Sequence, residues 1–320
     1  MTIDHEAPVG ATHGPCRVCG ADEARVVLSG TDHREGVGGW FSVVACRACG
    51  LARVDPWPDD PMAWYPDAYQ QHTAQTLTGR VVEAGVRRTA TRPMAPALRA
   101  LVTAALPDAA MGGQLAAGTR LLDVGAGNGT AVRALRAAGV DAHGVEPEER
   151  AVAAAQTGGA PTVVTGTLED NPLADMRWDV IRMYQTLEHM PDPVDALTRA
   201  RELLAPGGRL VIGVPNFGSL GRRLFGASWD GLELPRHLHH FTPASLGQTL
   251  ARADLDVTSI RTVALFGLLP ASIDARTAGG TRQRGWGRSV PLRAVLYPVE
   301  LLAAALGMGD GLLAVAHART

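Results

Sequence analysis

The sequence predicts an α/β protein in which helices cover both faces of a mostly parallel β-sheet, with a small cysteine-bearing module in front of it. Two observations support this prediction. A glycine-rich turn at residues 123–129 follows a buried apolar run and precedes a helix-like stretch that begins at Thr130. Near the N-terminus, the pattern Cys-x-x-Cys-Gly occurs twice, at residues 16–20 and 46–50.

The glycine turn predicts a site for a nucleotide-type ligand. Glycine lacks a Cβ atom, so Gly125 and Gly127 let the backbone approach a bulky ligand closely. A dinucleotide fingerprint, G-x-G-x-x-G, would need a glycine at position 130, where this chain has Thr130. The carboxylate of Asp123 would repel a pyrophosphate but suits a ligand with an ammonium and a sulfonium group. The turn therefore favours S-adenosylmethionine over NAD.

A second strand is predicted at residues 140–145, and Glu146 and Pro147 follow it. An acid at the tip of the next parallel strand can receive two hydrogen bonds from a ribose diol. The alternative is that Glu146 only caps the helix that follows it.

These residues and three further segments resemble the class I S-adenosylmethionine-dependent methyltransferases. The resemblance extends from about Gly118 to the end of the chain. It implies a Rossmann-like, seven-stranded, mostly parallel sheet with helices on both faces, in which the last strand is antiparallel. The matching segments, in the order of the family, are residues 123–129, 145–147, 165–169, 178–193 and 203–210.

The resemblance also implies which residues hold the cofactor. The methionine moiety, the ribose and the adenine would each meet one loop at the carboxyl edge of the sheet. The predicted residues are Asp123, Gly125, Ala126, Gly127 and Asn128 in the first loop, Glu146 and Pro147 in the second, Thr167 and Leu168 around the adenine, and Gln185 after the fourth strand.

The remaining segments fit the same architecture. Short apolar runs are typical of strands that are buried on both faces. Helices are predicted at 192–204, where Pro193 lies near the start, and from Pro243 onward, where Thr242 is the N-cap. The further strands are predicted at 180–184, 210–214, 256–263 and 312–316.

The four cysteines, Cys16, Cys19, Cys46 and Cys49, predict a zinc site. They are the only cysteines of the chain. Paired C-x-x-C-G knuckles present four thiolates tetrahedrally to zinc. Full cysteine coordination leaves no open position for a substrate, so the predicted role of the metal is structural. Two redox pairs, or cysteines placed by accident, are the alternatives.

The zinc ribbon and the linker behind it narrow the resemblance to a bacterial subgroup of these methyltransferases that includes the deoxysugar C-methyltransferases. Those enzymes carry a further C-terminal domain for which the 320 residues leave no room, which puts sugar C-methylation in doubt. The predicted organisation is a zinc-ribbon domain at 1–55, a linker and N-terminal helical cap at 56–117, and a methyltransferase domain at 118–320.

Two segments allow alternative interpretations. Trp64, Tyr65 and Tyr69 either line the acceptor pocket or dock the linker against the main domain, and we favour docking. An insertion at about 265–308 is predicted to form a lid. It contains a polar, glycine-rich loop at 277–288 and an apolar helix at 290–306, which we interpret as a core helix rather than an acceptor wall or a dimer face.

Histidines are the candidate catalytic bases. Methyl transfer from a sulfonium needs alignment of acceptor, methyl carbon and sulfur, and often the removal of a proton from the acceptor. His189 follows the fourth strand, and His237 and His240 follow the fifth. His237 is either the general base or a cap of the helix at Thr242, and His189 either takes a proton or shapes the loop. We expect His240 to orient His237, and His239 to face solvent.

Composition limits the functions further. A net charge of −2 gives no concentrated cationic face for nucleic acid. The chain has no lysine, which excludes Schiff-base chemistry. There is no signal-peptide pattern and no apolar run long enough to span a membrane, so a cytoplasmic location is expected.

The predicted function is methyl transfer to a small-molecule acceptor, such as a sugar-bearing or secondary-metabolite intermediate. An NAD-dependent oxidoreductase and an inactive scaffold with a methyltransferase fold are the alternatives. The sequence does not show whether the accepting atom is oxygen, nitrogen or carbon, and a homodimer is one open assembly.

Overall fold

The computed structural model of the chain describes residues 14–36, 38–65, 114–265, 267–277 and 289–319. Within these residues the strands, in chain order, are β1 (Ala24–Gly30), β2 (Phe41–Cys46), β3 (Ala52–Asp55), β4 (Arg120–Val124), β5 (Asp141–Glu146), β6 (Val163–Thr165), β7 (Trp178–Tyr184), β8 (Leu204–Pro215), β9 (His239–His240), β10 (Leu255–Val263) and β11 (Gly311–Ala318). The predicted Tyr69 and the loop residues 278–288 lie outside the described part, as does the predicted helical stretch at 79–106.

Seven of these strands form one sheet in the order β6-β5-β4-β7-β8-β11-β10. β4 pairs in parallel with β5 on one side and with β7 on the other, whereas β11 is antiparallel to both of its neighbours. The seven-stranded, mostly parallel sheet is thus confirmed. Because the chain proceeds outward from β4 in one direction and from β7 in the other, these two strands form a topological switch point, where ligands bind in such sheets.

Helices pack against both faces of this sheet. Their bounds are α1 (Thr130–Ala137), α2 (Glu149–Thr157), α3 (Pro193–Glu202), α4 (Leu220–Phe225), α5 (Pro243–Arg252), α6 (Leu268–Thr277) and α7 (Val290–Ala305). Neighbouring strand residues such as Leu121 and Leu122 enter separate apolar cores, as the alternation of side chains along a strand requires. One core contains residues of α1 and α2, and the other contains residues of α3 and α5.

The predicted helix starts are confirmed. Asp192 caps α3 by accepting hydrogen bonds from the N–H groups of Val194 and Asp195, both at 3.0 Å. Thr242 and Ser245 form a capping box at the start of α5. The histidines near Thr242 are therefore not its cap, and their role has to be sought elsewhere.

The N-terminal module, defined as residues 14–55, packs directly against the main sheet domain and pairs with one of its strands. Its strands form a second sheet in the order β1-β2-β3-β9, so its outermost strand comes from the second half of the chain. In that pair Ala52 lies opposite His240, and Arg53 lies opposite His239. Apolar residues of both parts also share one core, which includes Val43 and Val54 from the module and Trp229 and Leu238 from the main domain.

Helix α7 corrects one prediction. The core-packing interpretation of this apolar helix is wrong for one of its faces, because Val295, Val299 and Leu302 of the helix and Leu306 at its C-cap are exposed. Their spacing of four, three and four residues places them along one stripe of the helix. Across the described ranges, we find no helix with the length and apolar character that a membrane span would require.

Candidate functional site

The carboxyl ends of β4, β5 and β7 line a cavity of about 360 Å³. Its position at the switch point agrees with the rule for ligand sites in parallel sheets, and its volume lies in the usual range of small-molecule sites, about 300–1,000 Å³. Most of the predicted cofactor residues line this cavity: Gly125, Gly127, Glu146, Pro147, Thr167, Leu168 and Gln185.

The loop between β4 and α1 has the backbone that its glycines predict. The φ angle is +73° at Gly125, +52° at Gly127 and +70° at Gly129, in the left-handed region that favours glycine. A Cβ on Gly125 would lie 2.6 Å from Oγ1 of Thr186, which follows β7. Gly125 therefore allows the two loops of the switch point to approach each other closely.

Glu146 ties the second loop to the first. Its Oε2 accepts a hydrogen bond from the Gly127 N–H at 2.9 Å, and its Oε1 accepts one from the Glu148 N–H at 3.1 Å. The N-cap of α2 is Glu148, whose own side chain accepts from the Arg150 N–H. Glu146 is therefore not the N-cap, and its carboxylate keeps acceptor capacity beside the cavity, since a carboxylate has about four lone-pair sites.

Asp123 does not line the cavity. Its side chain is fully buried below the glycine loop, and its Oδ1 accepts a hydrogen bond from the Arg182 guanidinium at 2.6 Å. Burial raises the pKa of Asp123, and the charge of Arg182 opposes that rise. The charge that we expected to face a cationic ligand is thus compensated by Arg182, and Asp123 supports the loop from beneath.

Two other predicted residues also lie outside the cavity wall. Ala126 is buried against the sheet, where a Cβ on Gly144 would come within 2.6 Å of its side chain. Asn128 accepts hydrogen bonds from the N–H and the hydroxyl of Thr130, at 3.3 Å and 2.7 Å, and so holds the start of α1. Both residues shape the turn, and the structure does not bring them to the cavity.

Gln185 has the geometry of a binding residue. It follows β7, lines the cavity and adopts a φ of +55°, which is unusual for a residue with a side chain. Its backbone N–H donates to the Gly213 carbonyl at 2.8 Å. Its buried side-chain Nε2 has no hydrogen-bond partner within the described ranges. A buried amide without a partner is costly, so a ligand that accepts this hydrogen bond would be favoured here.

Tyr65 and His189 form the opposite wall of the cavity. The Tyr65 hydroxyl lies 2.7 Å from His189 Nδ1, which also lies 3.0 Å from the Arg236 carbonyl. The Arg236 carbonyl can only accept a hydrogen bond, whereas the Tyr65 hydroxyl can donate or accept one. Tyr65 both lines the cavity and docks the linker, whereas Trp64 packs edge-on against Phe41 of the N-terminal module.

His237 lies directly behind His189. The two rings are in edge-to-face contact with centroids 4.7 Å apart. His237 Nδ1 donates to the Gly231 carbonyl at 3.0 Å, and its Nε2 lies 3.6 Å from Oε2 of Glu233. The sequence analysis assigned no role to Glu233, although Glu233 precedes His237 by only four positions in the sequence.

The buried ionisable groups around His189 and His237 influence one another's pKa values strongly. Burial alone would raise the pKa of Glu233, but the charges of Arg34 and Arg236 hold it well below its usual range. Burial lowers the pKa of His237 well below its usual range, so the imidazole is neutral near pH 7. Burial raises the pKa of Glu188 to about 8.

The predictions for the other two histidines are wrong. His239, which we expected to face solvent, is buried because it lies in β9, and burial lowers its pKa to about 4. His240 does not orient His237 by a hydrogen bond: their ring centroids are 6.4 Å apart, and Gly231 and Glu233 take that role. His240 instead packs against Phe217.

The four cysteines converge in the N-terminal module. Sγ atoms are 3.5 Å apart in the pairs Cys16–Cys49 and Cys19–Cys46, and all four ligand atoms lie within 4.8 Å of one another. A disulfide needs about 2.05 Å. A tetrahedral zinc site with Zn–S bonds of about 2.3 Å spaces its sulfurs by about 3.8 Å. The arrangement fits a zinc ion and does not fit disulfide pairs.

The two knuckles also have the same backbone. The Gly20 N–H donates to the Cys16 carbonyl at 2.8 Å, and the Gly50 N–H donates to the Cys46 carbonyl at 3.0 Å. Both glycines have a φ of +73°. The repeated sequence pattern therefore corresponds to a repeated backbone turn, as paired C-x-x-C-G knuckles require.

Comparison with protein families gives one match that covers more than half of the chain: the model of a methyltransferase domain matches residues 89–260.

Among curated proteins, a ubiquinone biosynthesis O-methyltransferase of Cereibacter sphaeroides is 33% identical over 150 residues, which cover 43% of this chain and 61% of that protein. An uncharacterized 37.1 kDa protein in transposon TN4556 of Streptomyces fradiae is 32% identical over 208 residues, which cover 58% of this chain and 56% of that protein. The chain thus spans less than two thirds of the length of these relatives. Among solved structures, the CcbJ methyltransferase from Streptomyces caelestis aligns with a TM-score of 0.43 at 17% identity, over 83% of this chain and 94% of that one.

Proposed function

The chain belongs to the methyltransferase domain family, and we propose that it transfers the methyl group of S-adenosylmethionine to a small-molecule acceptor. The observation that supports this proposal best is the cavity at the switch point, lined by the glycine loop and by Glu146. The donor would bind with its ribose diol at Glu146 and its adenine beside Thr167 and Leu168. The loop glycines would meet the methionine moiety.

The residues of the opposite wall would serve the acceptor. S-adenosylmethionine supplies the reactive methyl group, so the protein has to align the acceptor and receive its proton. We assign that proton to His189, which lines the cavity, or to His237, whose ring is in contact with the ring of His189. Glu233, 3.6 Å from His237 Nε2, would then stabilise the imidazolium that forms.

A hydroxyl group suits this wall as the accepting group. An alcohol or phenol must lose a proton during methyl transfer, and a neutral imidazole is a suitable general base. The relative named as an O-methyltransferase of ubiquinone biosynthesis agrees with oxygen as the accepting atom. We therefore propose a hydroxyl-bearing metabolite, of the sugar-bearing or secondary-metabolite kind.

We also propose that the four cysteines hold a structural Zn²⁺. Four thiolates leave no open coordination position, so the metal would stabilise the N-terminal module and take no part in methyl transfer. Zinc-bound thiolates also fit a reducing compartment, which favours the cytoplasm.

A calorimetric titration of the full chain with S-adenosylmethionine, S-adenosylhomocysteine and NADH tests the donor. We expect the two sulfur compounds to bind at one site per chain and NADH not to bind. Binding of NADH together with no heat from either sulfur compound would reject the proposal in favour of an oxidoreductase. A labelled methyl group that passes from S-adenosylmethionine to a nucleotide-linked sugar or to a phenol would then identify the acceptor class.

A further inference from the structure

The segment that carries His237 is held by the N-terminal module. The N–H group of Val54 donates to the Leu238 carbonyl at 3.1 Å, and β3 pairs with β9 directly beyond it. His237 therefore lies one residue from a backbone hydrogen bond to the module. We call Tyr65 and His189, together with His237 behind them, the histidine wall. The module thus helps to hold the histidine wall in place, although it lies some 200 positions away from His237 in the sequence.

A buried ion pair makes the second connection. Arg236 and Asp32 are almost completely buried, and the Arg236 guanidinium donates to both carboxylate oxygens of Asp32 at 2.8 Å. Two parallel bonds of this kind fix the plane of the guanidinium as well as its position. The Nε of Arg236 donates in addition to Glu233 Oε1 at 3.2 Å.

A cation of the module contacts the Glu233 carboxylate as well. The Arg34 guanidinium donates to Glu233 Oε2, the oxygen that lies 3.6 Å from His237 Nε2. Glu233 is thus held by one arginine at each oxygen, and one of these arginines belongs to the module. Asp32, Arg34, Glu233 and Arg236 together carry two positive and two negative charges.

A purely structural role explains this network poorly. Burying charges costs solvation free energy, and apolar residues of similar volume often give equal or greater stability, so a buried ion pair is weak evidence for a stabilising role. The network ends at His237, whose Nε2 lies 3.6 Å from the held carboxylate. The network is placed to fix the orientation of that ring and to stabilise the charge that appears when the ring takes a proton.

We propose that Asp32 and Arg34 of the N-terminal module are positioning residues for His237, acting through Arg236 and Glu233. The proposal rests on the proposed function, since it assigns the module a role in the acceptor wall of the same site. It makes the module part of the catalytic apparatus without contact between the module and the substrate.

The test reads the protonated nitrogen of His237 directly. Zinc-loaded full chain is labelled with ¹⁵N-histidine, and nitrogen chemical shifts at neutral pH report which ring nitrogen carries the proton. His237→Gln assigns the signal among the ten histidines of the chain. We expect a single Nδ1–H form in the wild-type protein, because Nδ1 donates to the Gly231 carbonyl.

Two variants break the network, and two serve as controls. Asp32→Asn and Arg34→Gln should each change the Nε2 nitrogen shift of His237, because Glu233 loses its fixed position 3.6 Å from that atom. Arg34→Lys keeps the charge and should restore much of the wild-type Nε2 shift. Ser42→Ala removes a 2.9 Å hydrogen bond to Ser29 in the same module and should leave His237 unchanged.

Turnover gives the second readout. Once an acceptor has been identified, Asp32→Asn and Arg34→Gln should lower kcat and leave the KM of S-adenosylmethionine unchanged. Ser42→Ala should change neither kcat nor KM.

A wild-type Nε2 shift in both network variants, with only their thermal midpoints lowered, would overturn the proposal. Because Arg34 is partly exposed, its variant keeps the test decisive if Asp32→Asn fails to fold. Calorimetry with S-adenosylhomocysteine runs in parallel. If the wild-type chain does not bind it, the proposed function fails, whereas the histidine signal still reports on the positioning role.

Discussion

The two walls of the cavity are assembled from the chain in different ways. On the wall proposed to hold the cofactor (the cofactor wall), each residue follows or ends its own strand: Gly125 and Gly127 follow β4, Glu146 ends β5, and Gln185 follows β7. Neighbouring parallel strands then bring these loops together without any further segment. The cofactor wall is therefore a property of the sheet itself.

The histidine wall combines segments that are distant in sequence. Tyr65, His189 and His237 meet there, and Asp32 and Arg34 of the N-terminal module hold the last of them through Glu233 and Arg236. The cofactor wall therefore depends on local backbone structure, whereas the histidine wall depends on buried charges that are distant in sequence. Substitutions on the two walls should therefore have separable effects.

The largest expected effect is that of His237→Gln on turnover. Loss of a general base should lower kcat roughly 10²-fold or more. The affinity for S-adenosylhomocysteine should not change, because this ring lies outside the cofactor wall. The measurement is the initial rate of labelled methyl transfer. His143→Gln is the matched control, since His143 lies in β5 with its ring against Trp178. Equal rates for both variants and the wild type would remove His237 from the mechanism.

Glu146→Gln should affect the cofactor wall alone. A charge-assisted hydrogen bond contributes about 1.5–3 kcal/mol, so the dissociation constant of S-adenosylhomocysteine should rise roughly 10-fold or more. Calorimetry measures it, with Glu149→Gln in the first turn of α2 as the control. An unchanged dissociation constant would show that Glu146 supports only the glycine loop.

Gly125→Ala tests the close approach of the two switch-point loops. A left-handed backbone costs an L-residue about 1–2 kcal/mol, and the new Cβ would meet Thr186 at 2.6 Å. Gly118→Ala provides the matched control, because its φ is +78° but nothing lies within 4 Å of the added Cβ. In denaturant unfolding, Gly125→Ala should lose more stability than Gly118→Ala. Equal losses would mean that the contact with Thr186 relaxes freely.

Glu188 predicts a pH dependence on the histidine wall. Burial raises its pKa from 4.5 to about 8, so the folded state binds an extra proton between these values and stability falls as pH rises through that window. Glu188→Gln removes this effect. Relative to the wild type, the variant should gain about 2 kcal/mol of unfolding free energy between pH 6 and pH 8. Parallel stability curves of the two proteins would contradict the assigned shift.

The sequence predicted most of the cofactor wall because its signals are local. A glycine loop, an acid at a strand end and a helix cap each depend on a few neighbouring residues, and all three were found where predicted. The compensation of Asp123 by Arg182 was not predictable in the same way. The two residues lie on different strands, 59 positions apart, and no local pattern links them.

The histidine wall was harder to predict, because more of its contacts join residues that are distant in sequence. His239 was expected to face solvent, because nothing near it indicates that β9 completes the sheet of the N-terminal module. The role of Glu233 was missed, since it depends on Arg34, which is 199 positions away. On α7 the apolar pattern was read correctly, but a pattern does not show whether an apolar face is covered.

The separability of the two walls is tested most directly by calorimetric titration with S-adenosylhomocysteine before and after a chelator removes the proposed zinc ion from the full chain. The cofactor wall is built by the sheet, so we predict the same dissociation constant in both states, even as the N-terminal module loses its order. Loss of binding together with the metal would contradict this account, because it would show that the module supports the cofactor wall as well.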